Sequence, residues 1–192
     1  MYSPSIKLPA PWSDFIPGPV EKIEHGWGAP QIFIKRLDLI RSWASGNKYY
    51  KLKHNMAEAI RHGVNTIVSK GGMFSNHLES LSEACMHFNI QCVCVIRTYS
   101  PDENNPSVRT LRSRNAEIIF LSPEKYNSYG EGDAHDLYPG SLFIPEGGSN
   151  EAGIRGTSEI CSEIDLTEYS HLVVSGGTMS TAAGIGGSVA AA

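Results

Sequence analysis

The sequence predicts an α/β fold with mostly parallel sheets. Strand-like and helix-like runs alternate along the chain, and the helices are long enough to serve as crossovers between parallel strands with covered faces. Loops rich in glycine and hydroxyls follow strand-like runs, at the carboxyl ends where open sheets of this class bind ligands. Length agrees, since 192 residues at 41% hydrophobic composition suit one large domain or two small ones with a sizeable core.

The elements follow in order. A Pro-rich start leads to residues 31–35, which read as a strand. Residues 49–62 read as an amphipathic helix, because Leu52, Met56, Ala59 and Ile60 share one stripe and Gly63 supplies a stop. A short buried strand over 66–69 runs into the loop Lys70-Gly71-Gly72-Met73-Phe74-Ser75, then a helix over 76–88 and a strand over 90–97. Residues 108–115 read as helical and 117–121 as extended, while 124–139 read as loop with at most a short helix. Residues 142–145 are expected to be extended, 151–164 helical and 171–174 a strand. The small-residue end, 184–192, stops where a helix is expected to continue, so the chain is expected to be cut short there. No internal repeat is visible.

Composition narrows the function. A formal net charge of -4, with sixteen scattered Lys and Arg residues, leaves no electrostatic footprint for nucleic acid. No apolar run approaches the roughly 20 residues of a membrane span, and the first residues lack the layout of a signal peptide. The four cysteines fit neither a metal site nor a disulfide framework. Cys92 and Cys94, two apart in a strand-like run, are expected on one sheet face, with Cys85 and Cys161 in helices. Four reduced, mostly buried thiols and a cytoplasmic location are the expectation.

Three constellations carry chemistry. Ser175-Gly176-Gly177-Thr178-Met179-Ser180-Thr181 precedes a small-residue helix, so backbone N–H groups, hydroxyls and the helix dipole can bind an anion without a basic residue in the loop. The same residues also suit a tight strand-to-helix turn and nothing more. Lys48, in Ser45-Gly46-Asn47-Lys48, opens a helix, where the dipole lowers its pKa and favours a nucleophilic amine; a lone lysine is otherwise a solvated surface charge, as Lys51 and Lys53 are expected to be. Gly71-Gly72-Met73-Phe74-Ser75-Asn76-His77 joins a buried strand to a helix. Ser75 or Asn76 as N-cap explains one polar residue there but not the paired glycines or the Ser-Asn-His run.

In this order, Ile34-Lys35-Arg36-Leu37-Asp38, Gly46-Asn47-Lys48 with Lys51-Leu52, Gly71-Gly72 with Ser75-Asn76-His77, residues 144–150 (Ile-Pro-Glu-Gly-Gly-Ser-Asn), and residues 175–178 with Thr181 and Gly184 resemble a known family. It is the D-cysteine desulfhydrase and 1-aminocyclopropane-1-carboxylate (ACC) deaminase group, and the likeness runs from about residue 31 to 184. The resemblance implies a tryptophan synthase β-like fold, a two-lobed three-layer α/β/α architecture. Residues 1–52 plus 146–192 would form the larger, incomplete lobe and 53–145 the smaller one. It implies pyridoxal 5'-phosphate (PLP) as cofactor, held as an imine by Lys48, with Asn76 on its 3-hydroxyl oxygen. Gly176, Gly177, Thr178, Met179, Ser180 and Thr181 would cup its phosphate. Ser75, Asn76 and His77 would bind the substrate, with Ser75 beside Lys48 among the catalytic residues. No metal is expected. Leu37 departs from the glutamate usual in the family at that position, and relatives are longer, with the partner of the pyridine nitrogen expected beyond Ala192.

The implied activity is that of a lyase or deaminase on a small amino acid, with D-cysteine ahead of ACC, yielding a keto acid and ammonia, plus sulfide from cysteine. His77 could also move a proton near neutral pH, where an unperturbed imidazole titrates, and a homodimer is expected. Two other readings stand beside this one: a non-catalytic relative or fragment that keeps the cofactor cup, and a flavodoxin-like nucleotide or phosphate binder using the 176–181 loop alone.

Overall fold

The computed structural model describes residues 15–191 apart from Trp27, Ala29, Arg41 and Ser45. The Pro-rich start before residue 15 and the first residue of the Ser45–Lys48 motif lie outside the described residues.

A hairpin opens the described chain, β1 (Val20–Ile23) pairing antiparallel with β2 (Ile32–Lys35). The sequence reading missed β1, whose four residues are all exposed and carry no alternating apolar signal. Helix α1 (Asn47–Arg61) follows, and Leu52, Met56 and Ala59 of its predicted stripe are fully buried. Gly63 ends it with φ of 64°, a left-handed conformation that glycine adopts without strain.

The centre is a four-stranded parallel sheet in the order β5-β4-β3-β6, from β3 (Thr66–Gly72), β4 (Gln91–Arg97), β5 (Glu117–Leu121) and β6 (Leu142–Ile144). Because β4 is covered on both faces, Cys92 to Ile96 is a continuous apolar run rather than an alternating one, while β3 keeps Ile67 and Val68 side by side before Ser69 and Lys70. On one face Ile67, Cys92, Cys94 and Ile96 pack with Leu78, Leu81 and Cys85 of α2 (Asn76–Phe88) and with Val108 and Leu111 of α3 (Pro106–Ser113). On the other, Val68, Val93 and Val95 meet Tyr126, Tyr129 and Ala134. These last residues belong to α4 (Pro123–Ser128), to its end, and to α5 (Glu131–Leu137). Two short helices thus occupy the stretch expected to be loop. Each is too short to be stable alone, and burial of Tyr126 and Ala134 against the sheet holds them. Cys92 and Cys94 do share a face, with sulfurs 3.6 Å apart, and all four cysteines are buried and free.

Helix α6 (Glu151–Ser158) is shorter than expected, because a 3-10 turn takes over from Glu159 to Glu163. Residues 171–174 are not a strand and have no ladder partner. The final helix, α7 (Ser180–Ala191), packs on α6, and α6 on α1. Glycines set these close approaches. A Cβ on Gly156 would lie 1.8 Å from the Tyr50 carbonyl oxygen, and one on Gly184 would lie 2.2 Å from Thr157 Oγ1. The α1–α6–α7 stack therefore fixes the amino ends of α1 and α7 relative to each other. Leu37 lies in a 3-10 turn and packs against the core, so the departure from the family pattern is absorbed locally. Among the described residues no helix is long and apolar enough to cross a membrane, and no group of three or more His, Cys, Asp or Glu could hold a metal.

Candidate active site

Lys48 is the second residue of α1, behind Gly46, whose φ of 64° turns the chain into the helix. Its Nζ donates to Asn47 Oδ1 at 3.1 Å, a neutral partner. Burial lowers its pKa below the ordinary lysine value, and the positive end of the α1 dipole acts in the same direction. One turn on, the same helix face carries Lys51, which is 3% exposed and donates to Thr178 Oγ1 at 3.1 Å. Burial, and secondarily the charge of Lys48, push the Lys51 pKa down to about 8.

Ser75 is the N-cap of α2, its hydroxyl oxygen accepting from the Leu78 N–H at 3.3 Å. The cap accounts for one of the paired glycines, since a Cβ on Gly71 would lie 2.7 Å from Ser75 Oγ. A Cβ on Gly72 would meet nothing within 4 Å, so sterics give no reason for the second. His77 turns inward and is fully buried. Burial first, then Lys48 and Lys51, hold its pKa down to about 3. This favours the neutral imidazole at physiological pH.

The loop before α7 closes the site. Thr181 Oγ1 accepts from Asn47 Nδ2 at 2.9 Å, tying the start of α7 to the start of α1. Met179 has φ of 61°, and a Cβ on Gly147 would lie 2.6 Å from Thr178 Cγ2, so the turn after β6 lies against this loop. Asn150 fixes that turn by capping α6 and exchanging hydrogen bonds with Asn55 of α1.

Of the residues singled out from sequence, Lys48, Ser75, Asn76, His77, Gly177, Thr178, Met179 and Thr181 line one cavity of about 260 Å³. Gly176 and Ser180 do not line it. Gly176 turns beneath Met179, and Ser180 is buried with its hydroxyl 3.3 Å from Thr178 Oγ1. Ser175, from the same predicted anion loop, lines it too, and Asn47, Lys51, Glu146 and Gly147 line it without having been given a role from sequence. Lys51 was legible: three residues after Lys48, it had to share that helix face. The sequence reading held that backbone and hydroxyls alone would receive an anion here, and Lys51 adds a cation to them. A larger hollow of about 560 Å³ lies next door, lined mainly by apolar residues such as Phe33, Ile160, Leu172 and Val174. It shares Asn47, Ser175 and Thr181 with the smaller cavity, but neither Lys48 nor the Ser75-Asn76-His77 run lines it.

These features define a class. Residues 17–191 match the family described as pyridoxal-phosphate dependent enzyme, and the chain belongs to it. It is 31% identical over 188 residues to the mitochondrial bifunctional D-cysteine desulfhydrase/1-aminocyclopropane-1-carboxylate deaminase of Arabidopsis thaliana, covering 84% of this chain and 47% of that protein. It is 30% identical over 164 residues to a putative 1-aminocyclopropane-1-carboxylate deaminase of Thermotoga maritima, covering 80% of this chain and 52% of that one. The crystal structure of an ACC deaminase homologue superposes with a TM-score of 0.74 at 22% identity, over 94% of this chain and 60% of the other. A PLP-dependent aspartate racemase gives 0.69 at 19% identity, over 90% and 53%. The fold is that of these PLP proteins, and the chain spans about half the length of the curated relatives it matches.

The residues present fit the cofactor. Its aldehyde needs an amine that sheds its proton readily, and Lys48 is half-buried at a helix start with its pKa lowered by that burial. Its phosphate needs cationic and hydroxyl donors, and Lys51, Thr178, Thr181 and the amino end of α7 converge on one wall of the cavity.

Proposed function

We propose that the full-length protein is a PLP-dependent lyase or deaminase acting on a small amino acid, with D-cysteine desulfhydrase activity as the leading reading. The observation that carries it is a half-buried lysine, Lys48, at the start of α1 sharing one cavity with Ser75, Asn76 and His77. When bound, PLP supplies an electron sink for charge developing at the α-carbon of an amino acid. The protein's own part is positioning and proton handling. Lys48, its neutral form favoured by burial, holds the cofactor and accepts a proton from the substrate carbon. Lys51, Thr178, Thr181 and the α7 amino end take the phosphate. The amino end of α2 offers unpaired N–H groups to a carboxylate, with Ser75 and Asn76 beside them, and Asn76 is assigned to the cofactor's 3-hydroxyl oxygen.

ACC deaminase activity is the second reading, favoured by the names of both curated relatives. The two-lobe division, with 53–145 as the smaller lobe, is supported by the self-contained parallel sheet within it. A reducing compartment, the cytoplasm first, is supported by the buried free thiols. A homodimer is proposed on family grounds and is open to light scattering.

The test begins with the full-length protein and PLP. Lys48→Ala is expected to abolish visible absorbance and borohydride labelling, while Lys51→Ala retains the label. Labelling at Lys51 in place of Lys48 would overturn the assignment. The protein is then given D-cysteine, L-cysteine, D-serine and ACC, with pyruvate, ketobutyrate and sulfide measured. Sulfide formed faster from D- than from L-cysteine supports the leading reading, and ketobutyrate from ACC alone selects the second.

A further inference from the structure

Ser69, on β3, is fully buried, and its hydroxyl has two polar neighbours. The Ile144 carbonyl oxygen is 2.7 Å away and His77 Nε2 is 2.9 Å away. A carbonyl can only accept, so the single hydroxyl proton goes to Ile144. The hydroxyl oxygen must then accept from His77, which places the imidazole proton on Nε2. Because the ring is neutral, Nδ1 is left as a bare lone pair.

That lone pair has no partner. His77 Nδ1 is buried and makes no hydrogen bond to the protein. The ring is among the residues lining the cavity, and its free edge passes Gly148, where a Cβ would lie 3.5 Å from Cε1 and 3.7 Å from Nδ1. A buried acceptor left unsatisfied is costly and calls for a donor from a ligand. A carboxylate cannot be that ligand group, since lone pair would face lone pair.

We propose that Ser69 fixes His77 as the Nε2–H tautomer, so that Nδ1 serves as a hydrogen-bond acceptor for a side-chain donor of the bound amino acid, not as a receiver of its carboxylate. The proposal rests on the amino-acid reading above and sharpens it. A site built around such an acceptor discriminates against the analogue that lacks the donor. Small amino acids bearing a side-chain hydroxyl, amine or thiol are therefore preferred over those with a plain hydrocarbon side chain. Ser69 is a positioning residue, acting only through His77.

The test has two arms on the full-length protein. Nitrogen-15 NMR of the ring, before any cofactor is added, should report a protonated Nε2 and a bare Nδ1 for His77. Ser69→Ala should lose that fixed assignment, and Ser69→Thr should restore it. A protonated Nδ1 in the wild type overturns the proposal whatever the enzyme does. In the second arm, spectral titration of the PLP-loaded protein should show D-serine binding about tenfold tighter than D-alanine, with the difference collapsing in His77→Phe. Equal binding of the two, with the tautomer as stated, overturns the acceptor role and leaves the PLP reading intact. Failure to bind any amino acid overturns the functional reading and the acceptor role with it.

Discussion

Two short segments of this chain share an apolar start and a Gly-Gly end but differ in structure. Residues 67–72 run Ile-Val-Ser-Lys-Gly-Gly, and residues 172–177 run Leu-Val-Val-Ser-Gly-Gly. The first lies in an inner strand of a parallel sheet, with Ile67 and Val68 fully buried. The second has no ladder partner, and Val173 is 94% exposed. β-propensity is a statement about fitting a half-covered pleated surface; without ladder neighbours, similar residues form no strand, although Val174 still packs partly against the core. Both runs nevertheless lead through glycines to a helix start on the same cavity, α2 from the first and α7 from the second. The first loop is positioned by its strand. The second is held by Lys51 on Thr178, Asn47 on Thr181, and the packing of α7 on α6.

The largest expected effect tests that contrast directly. Val68→Asp puts an unpaired carboxylate into the sheet core and should remove about 4 kcal/mol or more of stability in urea titrations, enough to unfold many domains. Val173→Asp in the 192-residue chain should stay within about 0.5 kcal/mol. A comparable loss from both would mean that residues 171–174 are covered after all.

The next effect is pH-dependent and belongs to the well-held side. In the unfolded chain His77 protonates below its ordinary pKa of 6.5, but in the fold it resists protonation down to about 3. Between those values the unfolded state binds the extra proton, so stability rises with pH through the window and is lost as pH falls; above 6.5 both states are neutral and the contribution vanishes. The slope should approach about 1.4 kcal/mol per pH unit in mid-window. His77→Gln should flatten that limb of the urea-midpoint profile, and an unchanged slope would place the acid sensitivity elsewhere.

A smaller effect concerns how the second loop is held. Gly156→Ala would drive a methyl into the Tyr50 carbonyl oxygen, whereas Gly132 has nothing within 4 Å of an added Cβ. Gly156→Ala should destabilise by about 1–3 kcal/mol and shift the backbone amide resonances of residues 175–181. Gly132→Ala should do neither.

How much of this was legible follows from which interactions are local. The helix at Asn76 announced itself through an N-cap residue and a 3.6-residue apolar period, both local, and it was read to the residue. Helices α4 and α5 were not. Six and seven residues long, they carry glycine, proline or tyrosine, and are held by tertiary burial of Tyr126 and Ala134, which no window reveals. The strand expected over 171–174 failed for the converse reason, having propensity without partners. In the site, Lys48, Ser75, Asn76 and His77, singled out by motif, line one cavity, but the depressed pKa of His77 depends on burial and on two lysines from another helix. Lys51 was set aside as a surface charge although its spacing from Lys48 put it on the same face.

Lys51 gives the last and smallest prediction, and it separates the two loops by chemistry. The α2 start offers only N–H groups and small polar side chains, whereas the loop before α7 has a cation 3.1 Å from Thr178 Oγ1. An anion bound at the second loop should therefore sense Lys51. In Lys51→Gln, binding of inorganic phosphate to the full-length protein should weaken about tenfold by calorimetry, as expected for one charge-assisted hydrogen bond in a half-open cavity. Lys53→Gln should leave it nearly unchanged, because Lys53 is paired with Glu159 on the α1–α6 seam. Since the Lys51 pKa lies near about 8, wild-type affinity should hold below that pH and fall as the ammonium loses its proton above it. The glutamine variant should lack that fall. Equal weakening by both substitutions would reduce the effect to overall charge, and phosphate binding that ignores Lys51 would move the anion from the α7 loop to the α2 start.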